Sequence, residues 1–379
     1  MLDFTSVLYL GIHHAHHALA PWARLTTGRP AATEPAPEGE RLAQRLAQLL
    51  HCERAVLASS TLHLFWDLFD VLSAWERIAI YADAGTYPIV RWGVERAAAK
   101  GIQAETFQKR DSRALERLLR RSRGRGYRPV VVTDGICPET GQPAPLPDYL
   151  MLVREYGGYL VIDDTQALGI LGKDPKPNAP YGQGGGGTPA WHGIKGPELI
   201  IGSSLAKGFG APLAVLAGNA RVILEFENRS ATRVHCSPPS LAVISAAHRA
   251  LVINNRQGEH LRSRLAKLVC QFKDGLRQIG LMARGGFFPT QTLRAIAGVD
   301  TESLHRVLLG FGIRAISRQP RNSSSPALSF VITASHTQSD IGCCMDALQR
   351  ACALIRREWG RSTCQPTCSD ILPIYGRYH

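Results

Sequence analysis

The stretch Tyr159-Leu160-Val161-Ile162-Asp163-Asp164-Thr165-Gln166 decides the fold. Four consecutive β-favouring residues stop abruptly at two carboxylates, which predicts a short strand buried on both faces with acids at its carboxyl end. Similar runs recur on either side: Ala55 to Leu57, Ile78 to Tyr81, Val130 to Val132, Leu199 to Ile201 and Ala214 to Leu216. Amphipathic stretches separate them between about Arg41 and Leu216. The pattern predicts an α/β core with a mostly parallel sheet sandwiched by helices. In such sheets ligands sit beyond the carboxyl ends of the strands, so chemistry belongs to the polar residues directly after each run.

After Ser240 a long helical segment, Leu241 to Ile279, leads into a region with strands near Gln291 to Ala295 and Leu328 to Thr333 and a helix from Ser339 to Glu358. The expected division is an N-terminal arm over 1–40, a large α/β domain over 41–240, a connecting helical segment over 241–280 and a small C-terminal α+β domain over 281–379. A chain of 379 residues suits such a pair of domains.

A buried acid at a strand end needs a partner. If Asp163 faces a protonated pyridine nitrogen, the ion pair keeps the ring cationic, and a cationic ring accepts electrons from an adjacent carbanion. The same residues would also serve as a plain helix N-cap. The second stretch, Leu199-Ile200-Ile201-Gly202-Ser203-Ser204-Leu205-Ala206-Lys207-Gly208-Phe209-Gly210, places a lysine 44 residues after Asp163, directly behind a strand and a Ser pair. The following Gly-x-Gly permits close backbone approach. Such an amine forms a Schiff base when desolvation lowers its pKa; standing alone it would read as a surface lysine after a turn. Ser204 is placed to donate a hydroxyl to a phosphate.

Together these two stretches resemble the α-oxoamine synthases, a family of pyridoxal-phosphate enzymes with the aminotransferase-like fold. Thr133-Asp134-Gly135-Ile136-Cys137-Pro138-Glu139-Thr140-Gly141-Gln142-Pro143-Ala144-Pro145-Leu146 and Leu328-Ser329-Phe330-Val331-Ile332-Thr333-Ala334-Ser335-His336 are similar to further family segments, so the likeness covers most of the chain. The resemblance implies pyridoxal 5'-phosphate as cofactor, with Asp163 at the pyridine nitrogen, Lys207 as the internal imine and Ser204 at the phosphate. Ser59, Ser60 and Thr61 follow the first strand and open a helical stretch, where hydroxyls and backbone N–H groups would cradle the phosphate. Ser237, in Arg233-Val234-His235-Cys236-Ser237-Pro238-Pro239, matches a phosphate contact that a partner chain often supplies, since family members are dimers. In the small domain Arg318 and Arg321 are both candidates for the substrate carboxylate, with Arg318 preferred.

Two positions depart from the family. Tyr87 stands where a histidine usually covers the ring; tyrosine still stacks, but its pKa of about 10 against about 6.5 makes it a weaker proton shuttle near neutrality. Gln166 replaces a second histidine; it hydrogen-bonds a ring oxygen but does not titrate. The reaction that the resemblance implies is a decarboxylative condensation of an amino acid with an acyl thioester, carried by acyl-CoA or an acyl-carrier protein, to an α-amino ketone. Lys207 and Tyr87 would move the protons. The alternatives are an aminotransferase on the same fold, which Tyr87 would tolerate, and a non-catalytic protein that kept the fold.

Composition agrees with a globular enzyme: hydrophobic residues are 45% and charged residues 20%, and no apolar run is long enough to cross a bilayer. The start of the chain, Met1 to Leu10, does not read as a secretory leader, and nine cysteines without a disulfide framework fit a reducing compartment, so a cytoplasmic location is expected. Cys364 and Cys368, with Cys343 and Cys344, match no standard zinc module. His13, His14, His16 and His17 lack neighbouring acidic or thiol ligands and are read as an arm over the active-site entrance or a partner, not a metal site. The net charge of +13 favours anionic partners. Much of it lies in Lys109 to Arg128, read as a solvated helix end or a docking face for an acidic carrier; no nucleic-acid motif accompanies it. The Gly-rich stretch Lys173 to His192 is either a floppy linker or a cover that shapes the acyl entrance.

Overall fold

The computed structural model describes residues 1–19, 21–22, 24–33, 36–137, 139–319 and 326–363, the last with backbone only after 357. A seven-stranded sheet forms the centre. Its strands are β2 (Arg54–Ala58), β3 (Ile78–Asp83), β4 (Gln103–Phe107), β5 (Arg128–Asp134), β6 (Tyr159–Asp163), β7 (Leu199–Ser204) and β8 (Ala214–Gly218), in the order β2-β8-β7-β6-β5-β3-β4. Only β8 runs against the others. The carboxyl ends of the remaining six strands therefore share one edge.

The apolar runs form strands because both faces are covered. Helices α2 (Thr61–Ser73), α3 (Pro88–Ala99) and α7 (Ala220–Arg229) bury Val130, Val132 and Val161 from one side. Helices α4 (Ser112–Ser122) and α5 (Leu146–Glu155) bury Val131, Leu160 and Ile162 from the other. Each such side chain contributes roughly 1.5–3 kcal/mol on burial. A third cluster gathers α1 (Pro37–Leu49), the 38-residue α9 (Leu241–Gln278) and the C-terminal elements. Around the active edge run two short helices, α6 (Gly187–Trp191) and α8 (Ala231–His235).

The C-terminal part carries a four-stranded antiparallel sheet, β12 (Ile316–Arg318), β13 (Ala327–Val331), β10 (Thr290–Leu293) and β9 (Ala283–Arg284), in that order. Helices α10 (Thr301–Gly310) and α11 (Gln338–Thr363) flank it. The N-terminal arm, irregular by sequence, begins with β1 (Leu2–Asp3), which pairs in parallel with β11 (Ile313–Arg314). It continues across this part through Val331 N–H to Phe4 O (2.8 Å) and Ala334 N–H to Tyr9 O (2.8 Å).

Strand β4 has no counterpart among the expected runs. It is an edge strand in which only Phe107 is buried, so no continuous apolar signal marks it. The Gly-rich stretch is a packed loop and not a linker. Tyr181 donates to Phe287 O (2.8 Å), Trp191 Nε1 donates to Pro180 O (2.8 Å), and the Trp191 ring stacks on Phe287 at 5.9 Å.

Candidate active site

Strands β5 and β6 pair in register at Asp134 and Asp163, which sets two buried carboxylates side by side at the active edge. Asp163 accepts the backbone N–H of Thr165 at 3.0 Å, and the Thr165 hydroxyl in turn accepts Ser204 N–H at 3.0 Å. Thr165 thus ties the acid of β6 to the end of β7. Burial raises the Asp163 pKa, while the bonds from Thr165 and the Lys207 charge oppose the rise. Asp134 is pushed well above the carboxylate range by burial and then by the charge of Asp163, with the Tyr87 backbone N–H (3.0 Å) working against this.

Lys207 completes the group. Burial lowers its pKa, and Asp163 and Asp134 partly restore it. A desolvated amine with a lowered pKa is a competent nucleophile, and two acids held close in a dry site share protons with it. Asp134 was not among the candidates by sequence, although a signal existed: like Asp163, it is the last residue of a strand built on a short apolar run, here Val130 to Val132 followed by Thr133.

Of the residues expected at a phosphate, Ser59, Ser60, Thr61 and Ser237 meet at the start of α2. Ser60 is its N-cap residue, yet no side chain caps the helix; the Ser60 hydroxyl instead meets His63 Nδ1 at 2.8 Å. The first N–H groups of α2, from Thr61 onward, are left without a capping oxygen, which suits an anion. Ser59 donates to Ser237 O at 3.1 Å, so these two residues meet within a single chain. Ser204 accepts Ala206 N–H at 3.2 Å at the opening of the Lys207 turn.

Tyr87 is the N-cap residue of α3 and is 46% exposed, with its backbone N–H on Asp134. Gln166 receives a partner that nothing in the sequence suggests: the Tyr9 hydroxyl, from the N-terminal arm, donates to its Oε1 at 2.6 Å. Arg318 lies at the end of β12 and is partly exposed; no described contact joins it to Lys207. Arg321 lies outside the described residues, as do Cys364 and Cys368.

Behind Asp163 the fully buried Asp164 accepts Thr188 N–H at 2.8 Å and the Thr188 hydroxyl at 2.5 Å; burial pushes its pKa up to about 7. The Gly-rich loop thereby buttresses the strand that carries Asp163. The arm also reaches the Lys207 turn, where His14 Nε2 meets Phe209 O at 2.8 Å and Arg249 meets His14 Nδ1 at 3.3 Å. Among the described residues no group of three or more His, Cys, Asp or Glu side chains could hold a metal. The basic run Arg120 to Arg125 precedes the first residue of β5, whereas Asp134 is the last. At about 3.3 Å per residue, the run lies roughly 20 Å away, at the opposite edge of the sheet.

Residues 23–348 match the family model described as aminotransferase class I and II. Among curated relatives, 8-amino-7-oxononanoate synthase of Geobacter sulfurreducens is 31% identical over 63% of this chain, and the match spans 59% of that relative's length. The enzyme of the same name from Sodalis glossinidius is 28% identical over 92% of this chain and 88% of its own. A solved serine palmitoyltransferase from S. paucimobilis, with bound PLP–myriocin aldimine, shares the fold at a TM-score of 0.78 and 16% identity, over 93% of this chain and 87% of that one.

Proposed function

The chain belongs to the aminotransferase class I and II family, and on that premise we propose that it condenses an amino acid with an acyl thioester, with loss of CO2, to give an α-amino ketone. Pyridoxal 5'-phosphate is the cofactor. The observation that carries this reading is the desolvated Lys207 amine beside the paired carboxylates Asp163 and Asp134, in a chain alignable over 92% of its length with an 8-amino-7-oxononanoate synthase.

The side chains fit the cofactor. Asp163 is buried, and among the described residues its carboxylate has Thr165 as its only hydrogen-bond partner, so it has room for a cation such as the ring nitrogen. The uncapped start of α2, with Ser59, Ser60, Thr61 and Ser237 at it, would hold the phosphate together with Ser204. Gln166 would meet the ring oxygen and Tyr87 would cover the ring. Bound pyridoxal phosphate supplies an electron sink for charge developed on the amino-acid carbon. Lys207 would hold the cofactor through its amine and, once freed, carry protons at that carbon; Asp163 would keep the ring nitrogen protonated. Arg318 would orient the substrate carboxylate by a bidentate pair.

We infer a homodimer working in the cytoplasm. The adjoining helices α2, α3, α7 and α8 leave Trp66, Trp92, Leu224 and Val234 exposed, which supports self-association. The described cysteines are all free, and no helix among the described residues is long and apolar enough to cross a membrane. The acyl group would arrive on CoA or on a carrier protein.

The test is an assay of free thiol and CO2 with a panel of amino acids and acyl thioesters, with Lys207→Ala alongside. Release of both in equal amounts by the wild type, and neither by the variant, is expected. Conversion of the cofactor to its pyridoxamine form without thiol release would replace the reading with transamination, and unchanged cofactor spectra with every amino acid would leave a non-catalytic protein.

A further inference from the structure

Tyr9 is 157 residues from Gln166 in the chain and is 1% exposed. It is held from several sides. Its carbonyl accepts Ala334 N–H at 2.8 Å, and its ring meets Phe288 edge to face at 5.4 Å. The Tyr9 hydroxyl donates to Gln166 Oε1 at 2.6 Å, which commits the acceptor end of that amide. Among the described residues no acceptor takes the amide hydrogens of Gln166. An amide with its oxygen pinned has its NH2 group pointing the other way, and a planar amide held like this presents a donor in a single direction.

We propose that Tyr9 is a positioning residue: it orients Gln166 so that the amide NH2 donates to the ring oxygen of the bound cofactor. This rests on the function proposed above. A neutral, non-titrating donor at that oxygen withdraws charge from it and so lowers the proton affinity of the neighbouring nitrogen that joins the cofactor to Lys207. Because Tyr9 belongs to the arm and is held by Phe288 and Ala334 of the C-terminal part, the contact also links the electronic state of the cofactor to the seating of both.

The experiment titrates the visible absorption of the holoenzyme against pH in wild type, Tyr9→Phe, Gln166→Leu and the double variant. Tyr9→Phe keeps the ring and removes only the hydroxyl; thermal melting of each apo-protein checks the fold. An upward shift of the midpoint by about 1 pH unit is expected for Tyr9→Phe, at least as much for Gln166→Leu, and no further shift in the double variant. An unchanged midpoint in Tyr9→Phe, or an equal additional shift in the Gln166→Leu background, would overturn the role of Tyr9 while leaving the cofactor assignment intact. A wild type that develops no visible band with pyridoxal phosphate would instead sink the proposed function, and this inference with it.

Discussion

Gly187 approaches Asp164 so closely that a Cβ built on it would lie 1.8 Å from Asp164 Oδ2. Its backbone also has φ +85°, where side chains other than glycine's are strained. The same carboxylate holds Thr188, so the Gly-rich loop and the strand carrying Asp163 form one unit. Gly187→Ala is expected to destabilise the apo-protein by about 2–4 kcal/mol and to weaken cofactor retention. Denaturant unfolding monitored by fluorescence measures the first; a stability equal to wild type would show that the loop is not coupled to the strand.

Asp163→Asn removes the charge that would keep the cofactor ring cationic while preserving size and the bond from Thr165. Turnover should fall by at least 10²-fold, with a blue-shifted or weakened cofactor band and little change in melting temperature. Steady-state assays alongside spectra decide the matter. A variant of near-normal turnover would remove Asp163 from the chemistry.

His14 connects pH to the seating of the arm. Burial, with Arg249 and His13 nearby, lowers its pKa, while its bond to Phe209 O opposes this. A folded-state pKa below the unfolded value means that the unfolded chain binds more protons between the two. The contribution of His14 to stability is therefore fully present above about pH 6.5 and is lost as pH falls through the lowered folded pKa. Apo-protein melting temperatures between pH 5 and 8, a window bracketing that transition, should drop more steeply at the acid end for wild type than for His14→Gln; parallel curves would exclude the effect.

The basic run stands at the far edge of the sheet, and two of its members are engaged on the surface: Arg120 with Glu116 and Arg121 with Glu105. Replacing Arg120, Arg121, Arg123 and Arg125 by Gln should leave cofactor spectra and turnover of a CoA thioester unchanged, since exposed pairs contribute little. A selective rise of KM for a carrier-bound thioester, with kcat constant, would identify the run as a carrier-docking face. A fall of kcat for the CoA substrate would contradict its remoteness.

Much of the fold was legible because strands buried on both faces leave an unbroken local mark: every central strand was visible in sequence except β4, whose edge position allows Gln103 and Glu105. The helices came within a few residues at α9 and α11. The placement of Asp163 and Lys207 at the carboxyl edge of the sheet was readable for a related reason. A parallel sheet exposes its functional groups where each apolar run stops, so a carboxylate or an amine at that point announces itself in a handful of residues.

Short contiguous stretches thus carry the α/β class, the edge at which the parallel strands end, and the placement of Asp163 and Lys207 beside one another there. Only the tertiary structure decided that Asp134 joins Asp163, that Thr188 and the Gly-rich loop brace the strand from behind, and that Tyr9 reaches Gln166 from the far end of the chain. Those relationships depend on how strands are ordered and on how the arm runs from the C-terminal strands to Gln166 and the Lys207 turn. They arise from packing between residues distant in sequence, which leaves no periodicity or spacing to be read.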